Sequence, residues 1–133
     1  MTYLLDTNAV IAILNQNTDF IQRLKQHSPA DFALSAITWF ELHYGAHKSQ
    51  KTAENLAKLE KLAFDILPFS QQDAQTAGKI RSDLAKQGKP IGSYDTLIAA
   101  QALSNQLVLI THNVREFERV EGLVVEDWEK LNS

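Results

Sequence analysis

Short apolar runs alternate along the chain with longer segments whose apolar residues recur every three or four positions. The short runs predict strands, and the longer segments predict helices. The predicted strands span residues 3–5, 32–34, 64–67, 107–110 and 123–125. The predicted helices span residues 8–14, 19–26, 36–48, 52–63, 71–87 and 93–105, with a short helical piece after Asn113. Such alternation is typical of an α/β fold.

The run at residues 107–110 is apolar at every position. A continuous pattern of this kind indicates a strand covered on both faces, as in a parallel sheet between two layers of helices. We therefore predict a three-layer α/β/α fold with a central, mostly parallel twisted sheet. The length of 133 residues predicts one domain over residues 1–133. Pro90 should end one helix, and Ser93 should cap the next.

Composition limits the available chemistry. The chain has no cysteine, which excludes disulfides, thiolate metal ligands and thiol nucleophiles. Catalysis would therefore depend on carboxylates, histidines or hydroxyls. The longest apolar run, residues 9–14, is much shorter than the ~20 residues of a membrane-spanning helix, and no basic leader precedes it. We expect a cytoplasmic protein with no membrane partner.

The net charge of −3 argues against a polyanionic partner only if the charge is evenly spread. Residues 20–90 contain ten Lys and Arg against seven acids, whereas residues 116–133 contain six acids against two bases. The mean charge therefore decides nothing about nucleic-acid binding. Solvated faces of amphipathic helices explain the lysines equally well.

Asp6 stands between the first predicted strand and another apolar stretch at residues 9–14. Burying an unpaired carboxylate is costly, so an aspartate in this setting normally meets a metal, another cation or the water of a cleft. In open α/β sheets the functional crevice lies beyond the carboxyl ends of the strands, which is where Asp6 falls. No glycine precedes Gly45, and this excludes a glycine-rich nucleotide loop after the first strand.

Two further acids occupy positions that belong to apolar stripes. On the predicted helix 36–48, Ile37, Phe40 and Tyr44 mark an apolar stripe that Glu41 interrupts. Asp95 begins an inward stripe that continues through residues 98, 99 and 102. Topology brings these acids toward Asp6 at one sheet edge, together with residues 111–117. Gathered carboxylates favour a Mg²⁺ or Mn²⁺ ion, and such an ion supports phosphodiester hydrolysis.

Other chemistries fit the residues less well. His43 and His47 have the spacing of a zinc pair, but Tyr44 stands where an HExxH hydrolase has its glutamate. We expect both histidines at the surface or an interface. His112 lies beside the predicted site, where a structural hydrogen bond is its expected role. An aspartyl phosphatase would need a second acid at the position of Asn8.

Several segments together resemble PIN-domain ribonucleases, and more narrowly VapC-type toxins of bacterial toxin–antitoxin pairs. They are YLLDTN (3–8), the helix of Glu41 ending in YGA (44–46), PIGSYDTLIAA (90–100), THNVREF (111–117), VEGL (120–123) and EDW (126–128). The resemblance implies a PIN fold and Mg²⁺- or Mn²⁺-dependent cleavage of structured RNA, with tRNA and initiator tRNA as substrates of similar toxins. A non-catalytic PIN-like module that binds RNA or protein is the alternative.

The resemblance also implies roles for particular residues. Asp6, Glu41 and Asp95 would be the catalytic acids; Asp6 and Asp95 would bind the metal directly, and Glu41 would hold or position a water. Many PIN domains have an aspartate at the position of Asn113, so either Asn113 or Glu116 completes the site, and Glu116 is the favoured metal ligand. The residues expected to support the acids are Thr7, Asn8, Thr111 and Asn113.

The partners implied by the resemblance are a cognate VapB-type antitoxin, an RNA substrate and a second copy of the chain. A larger toxin–antitoxin complex would reach DNA through the antitoxin. Trp39, Phe40 and Tyr44 are candidates for an apolar contact surface, with core packing as the alternative. The residues that could follow an RNA backbone toward Asp95 are Lys79, Arg81, Lys86 and Lys89.

Overall fold

The computed structural model describes residues 1–129, and its strands and helices alternate as the hydrophobic pattern predicts. The strands are β1 (Tyr3–Leu5), β2 (Phe32–Ser35), β3 (Asp65–Leu67), β4 (Val108–Ile110) and β5 (Val125–Glu126). The helices are α1 (Thr7–Leu14), α2 (Thr18–Leu24), α3 (Ala36–Lys48), α4 (Thr52–Glu60), α5 (Gln71–Lys86), α6 (Ser93–Ser104) and α7 (Val114–Phe117). A 3-10 helix at Pro29–Asp31, which the pattern does not reveal, precedes β2.

All five strands run parallel, in the order β3-β2-β1-β4-β5. β1 lies at the centre, where Leu5 is in register with Leu34 of β2 and Ile110 of β4. The carboxyl ends of β1, β2 and β4 therefore meet at one edge of the sheet. The pairing of these three strands therefore brings together the residues that directly follow them.

Successive strand residues alternate between two cores, one on each face of the sheet. Leu4 packs with residues of α5 and α6, whereas Leu5 packs with residues of α1, α2 and α3. Both leucines are fully buried. This confirms the predicted three-layer α/β/α arrangement.

The faces of the sheet are closed in different ways. On one face, α6 contributes a run of fully buried small residues at 99, 100 and 102, which lets it lie close to the sheet. Asp73 of α5 accepts hydrogen bonds from Ser104 and Asn105, and these bonds fix α5 against the end of α6. On the other face, Trp128 is buried among the aromatic rings of Tyr3, Phe20 and Phe32.

Most boundaries agree with the prediction to within one or two residues, and α3 agrees at both ends. The largest difference is α4, which ends at Glu60 instead of residue 63 because the chain turns there, with the Leu62 amide bonding to the Leu59 carbonyl. Ser93 was expected to cap α6, but Gly92 occupies the N-cap position and no side chain caps the helix. Within residues 1–129 no helix combines the length and apolarity needed to cross a bilayer.

Candidate active site

Asp6 lies at the junction of β1 and α1, where it is the N-cap of the helix. Its Oδ1 accepts a hydrogen bond from the Thr7 amide at 2.7 Å, and its Oδ2 accepts bonds from Thr111 Oγ1 at 2.8 Å and Asn8 Nδ2 at 3.0 Å. The residue is only 3% exposed. Burial raises the pKa of the Asp6 carboxyl, an effect opposed by the Thr111 and Thr7 hydrogen bonds and reinforced by Glu41 and Glu116.

Glu41 reaches the same place from α3. Its Oε1 accepts a hydrogen bond from Thr7 Oγ1 at 2.7 Å. Because the Thr7 amide donates to Asp6, Thr7 connects Glu41 with Asp6. The prediction that Glu41 interrupts a buried apolar stripe is wrong, however, because Phe40 and Tyr44 are 50% and 61% exposed. The buried face of α3 is instead made by Thr38, Leu42 and Ala46.

Asp95 enters from the first turn of α6, above the buried stripe that the sequence predicts. The pKa of its carboxyl is raised to about 7. Burial is the largest cause; the charges of Asp6, Glu116 and Glu41 add to it, as does a hydrogen bond with Glu116. The carboxyl thus takes up a proton near neutral pH, because burial and three neighbouring acids together disfavour its charged form.

Glu116, on α7, is held by donors on both oxygens. Oε1 accepts a hydrogen bond from the Gly92 amide at 2.8 Å, and Oε2 accepts one from Asn113 Nδ2 at 2.6 Å. The Gly92 amide is the main reason that the pKa of Glu116 is lowered, with the bonds to Asn113 and Asp95 and the charge of Arg119 adding to it. Asn113 is therefore a neutral residue that orients Glu116 by donating a hydrogen bond to it.

Asp6, Glu41, Asp95 and Glu116 form what we call the acidic cluster, since the charges of the other three acids all contribute to the raised pKa of Asp95. Its donor set of carboxylate oxygens is the one that Mg²⁺ and Mn²⁺ take, and a cation there would relieve the repulsion that raises the pKa of Asp95. Within the described residues, however, no three of these acids present oxygens all within 4.8 Å of one another. Both Asp6 oxygens and one Glu41 oxygen accept hydrogen bonds from neighbouring protein groups.

The predicted supporting residues form one hydrogen-bond network around Asp6. Asn8 donates to Asp6 and to Thr111 Oγ1, the latter at 3.2 Å, and its Oδ1 accepts a bond from the His112 amide at 2.9 Å. Thr111 Oγ1 also accepts a bond from the Asn113 amide at 3.1 Å. Sequence patterns do not identify the Gly92 amide as a donor to Glu116. Its only signal in the sequence is a glycine directly before a helix that has an acid in its first turn.

The basic residues of α5 line two different clefts. Lys79 and Lys86 line a cleft of about 570 Å³, and Lys79 pairs with Asp83 at 2.7 Å. Arg81 lines a separate cleft of about 450 Å³ that extends to Ser93 and Thr96. The role of Lys79, Arg81, Lys86 and Lys89 in following an RNA backbone stays a prediction, in which Arg81 lines the cleft that extends to the start of α6.

The histidines and aromatic residues of α3 remain outside the acidic cluster. His43 bonds through Nδ1 to the Trp39 carbonyl at 2.9 Å, and His47 is exposed, so among residues 1–129 they form no metal-binding group. Trp39 packs against the core. Phe40 and Tyr44 are left at the surface, where the Phe40 ring contacts that of Tyr94 at 5.4 Å.

The chain is thus an α/β protein with a parallel sheet and an acidic cluster beyond the carboxyl ends of the central strands. The family model described as PIN domain matches residues 3–123. The chain belongs to the PIN-domain family.

Several relatives that are similar over nearly the whole chain are named as VapC ribonucleases. The tRNA(fMet)-specific endonuclease VapC of Shigella flexneri is 38% identical over 130 residues, covering 96% of this chain and 98% of the relative. Ribonuclease VapC2 of Haemophilus influenzae (strain Rd) is 40% identical over 131 residues, with coverage of 96% and 98%. The crystal structure of DNA-bound VapBC from Salmonella typhimurium contains a chain with a TM-score of 0.91 and 38% identity, with coverage of 96% and 98%. The predicted family and fold are thus confirmed.

Proposed function

We propose that the chain is a divalent-metal-dependent endoribonuclease that cleaves structured RNA and is inhibited by a cognate VapB-type antitoxin. The observation that carries this proposal is the acidic cluster at the carboxyl edge of β1 and β4. Relatives named as VapC ribonucleases support the reaction class. One of them is named as specific for tRNA(fMet), which makes initiator tRNA the first substrate to test.

In this proposal Asp6 and Asp95 hold the ion directly, with Glu41 and Glu116 as the third and fourth acids. A bound Mg²⁺ or Mn²⁺ would supply an activated water and positive charge at the scissile phosphate. Thr111 and Asn8 fix the Asp6 carboxylate, while Thr7 fixes Oε1 of Glu41. These hydrogen bonds limit the reorganisation that the acids need before reaction.

Glu41 is the acid suited to orient the attacking water. Within residues 1–129, Thr7 engages only Oε1 of Glu41, so Oε2 is available to accept a proton from water. Asp95 has a different part, because its carboxyl has a pKa of about 7 and must lose its proton before it binds a cation. Cation binding should therefore strengthen as the pH rises through neutrality.

The direct test is cleavage of purified tRNA by the purified protein, with Mg²⁺, with Mn²⁺ and with a chelator. We expect cleavage only with an ion present, and we expect Asp6→Asn to abolish it. Asp19→Asn is the matched control, since Asp19 is an aspartate at the start of another helix, α2, and lies outside the acidic cluster. Cleavage in chelator would contradict metal dependence, and an undiminished Asp6→Asn enzyme would remove Asp6 from the site. Tight RNA binding without cleavage would favour the non-catalytic module.

The proposal extends to assembly. Phe40 and Tyr94 are about half exposed, and their edge-to-face rings form an apolar surface that supports a contact with a second copy or with an antitoxin. The DNA-bound VapBC structure from Salmonella typhimurium supports an antitoxin partner that carries the complex to DNA. Because RNA is the proposed substrate, we place the protein in the cytoplasm. Light scattering of the purified chain, alone and with its antitoxin, tests the homodimer directly.

A further inference from the structure

A histidine and two carboxylates meet at the surface, next to the acidic cluster but separate from it. His112 Nδ1 lies 3.0 Å from Asp127 Oδ2 and 3.5 Å from Glu129 Oε2. We call these three residues the histidine–carboxylate cluster. Among the described residues, they are the one group of three His, Cys, Asp or Glu side chains whose possible ligand atoms all lie within 4.8 Å of one another.

The spacing of these atoms matches a tetrahedral metal centre. Zinc binds imidazole nitrogen and carboxylate oxygen at about 2.0–2.2 Å, so two ligands of a tetrahedral ion are about 3.4 Å apart. The two distances from His112 Nδ1 bracket that value. Three protein ligands would leave a fourth position for water.

The local backbone holds the ligands in place before any ion arrives. The Glu129 amide donates to Asp127 Oδ1 at 2.9 Å, which leaves Oδ2 for His112. The His112 amide donates to Asn8 Oδ1, so the imidazole extends from a segment already tied to α1. The Asp127 and Glu129 side chains are 16% and 23% exposed, and that of His112 is 52% exposed, which gives an ion access from solvent.

We propose that the histidine–carboxylate cluster is a binding site for Zn²⁺, distinct from the Mg²⁺ or Mn²⁺ site of the proposed nuclease. An imidazole nitrogen suits zinc, whereas Mg²⁺ prefers oxygen ligands throughout. The bound ion would link the segment after β4 to the chain after β5. Through Asn8, which donates to Asp6, this link reaches the network that holds the acidic cluster.

Calorimetric titration of the untagged protein with Zn²⁺, in a large excess of Mg²⁺ that fills the acidic cluster, tests the proposal. We expect one Zn²⁺ per chain, with binding about tenfold or more weaker in His112→Ala and in Asp127→Asn. Asparagine at position 127 retains an oxygen that can accept the hydrogen bond from the Glu129 amide, so the local turn is preserved. His47→Ala is the matched control, because His47 is an exposed histidine elsewhere on the surface.

Cobalt provides a second measurement that does not depend on activity. Co²⁺ in a tetrahedral nitrogen and oxygen site absorbs visible light strongly, and this absorption should vanish in His112→Ala and persist in His47→Ala. Absence of saturable Zn²⁺ binding would mean that the cluster is an ion pair only. Equal Zn²⁺ affinity in wild type and His112→Ala would also overturn the proposal, and loss of that binding in Asp6→Asn would assign it to the acidic cluster. None of these three results bears on whether the protein cleaves RNA.

Discussion

Asp95→Asn should stabilise the metal-free protein at alkaline pH. The folded-state pKa of Asp95 is about 7 against an ordinary value of 3.8, a difference that corresponds to about 4 kcal/mol at about 1.4 kcal/mol per pKa unit. Water reaches this carboxyl, and salt screens its neighbours, so the expected gain is about 1–3 kcal/mol. Asparagine keeps the shape of the side chain and removes the repelled charge.

The sign follows from proton linkage. The folded protein holds a proton on Asp95 that the unfolded chain has already lost between pH 3.8 and about 7. The free energy of unfolding of the wild type therefore falls as the pH rises through this window. Its deficit relative to Asp95→Asn is complete above pH 7 and absent below pH 3.8.

Urea unfolding in chelator, at pH 5 and pH 8, measures the effect. The gain from Asp95→Asn should be larger at pH 8, and added Mn²⁺ should stabilise the wild type more than the variant. Asp19→Asn controls for the interaction of a first-turn acid with the helix dipole, and it should cost about 0.3–1 kcal/mol. A variant that is no more stable than the wild type at pH 8 would refute the idea that burial and repulsion disfavour the charged form of this carboxyl.

Three further predictions test individual contacts. Glu116→Gln should weaken Mn²⁺ binding more than Asn113→Ala, because Asn113 acts through its hydrogen bond to Glu116; equal calorimetric affinities would contradict this order. Thr7→Val removes the donor to Glu41 Oε1 and should cost about 1 kcal/mol of stability and lower kcat for tRNA cleavage, with Thr7→Ser restoring both. Gln101→Leu deprives two backbone carbonyls of the buried Gln101 amide and should cost about 2–4 kcal/mol in urea unfolding, so an unchanged midpoint would argue against that pairing.

The sequence predicts the fold well because the sheet is buried on both faces. A strand such as residues 107–110 then has to be apolar at every position, and this pattern is hard to produce by chance. The alternation of helices and strands further restricts the topology to parallel pairing. Short-range details are less predictable: the 3-10 helix at Pro29–Asp31 and the cap of α6 depend on local hydrogen bonds that hydrophobic patterning does not report.

The acidic cluster was predicted for partly incorrect reasons. Asp6 and Asp95 lie where strand ends and helix starts put them, so simple topology suffices. Glu41 was singled out by a stripe through Phe40 and Tyr44 that turns out to be exposed. Its position instead depends on the Thr7 hydroxyl, a contact over 34 positions in sequence that periodicity cannot reveal.

The central place of β1 in the sheet has a consequence for synthesis. β1 is translated long before its neighbour β4, and the Asp6 amide donates to the carbonyl of Ile110. A nascent polypeptide that has reached only residue 90 lacks Asp95, Thr111 and Glu116 altogether. The proposed nuclease site therefore cannot assemble until translation has passed Glu116, so a polypeptide that stops short of this residue could not cleave RNA by this mechanism.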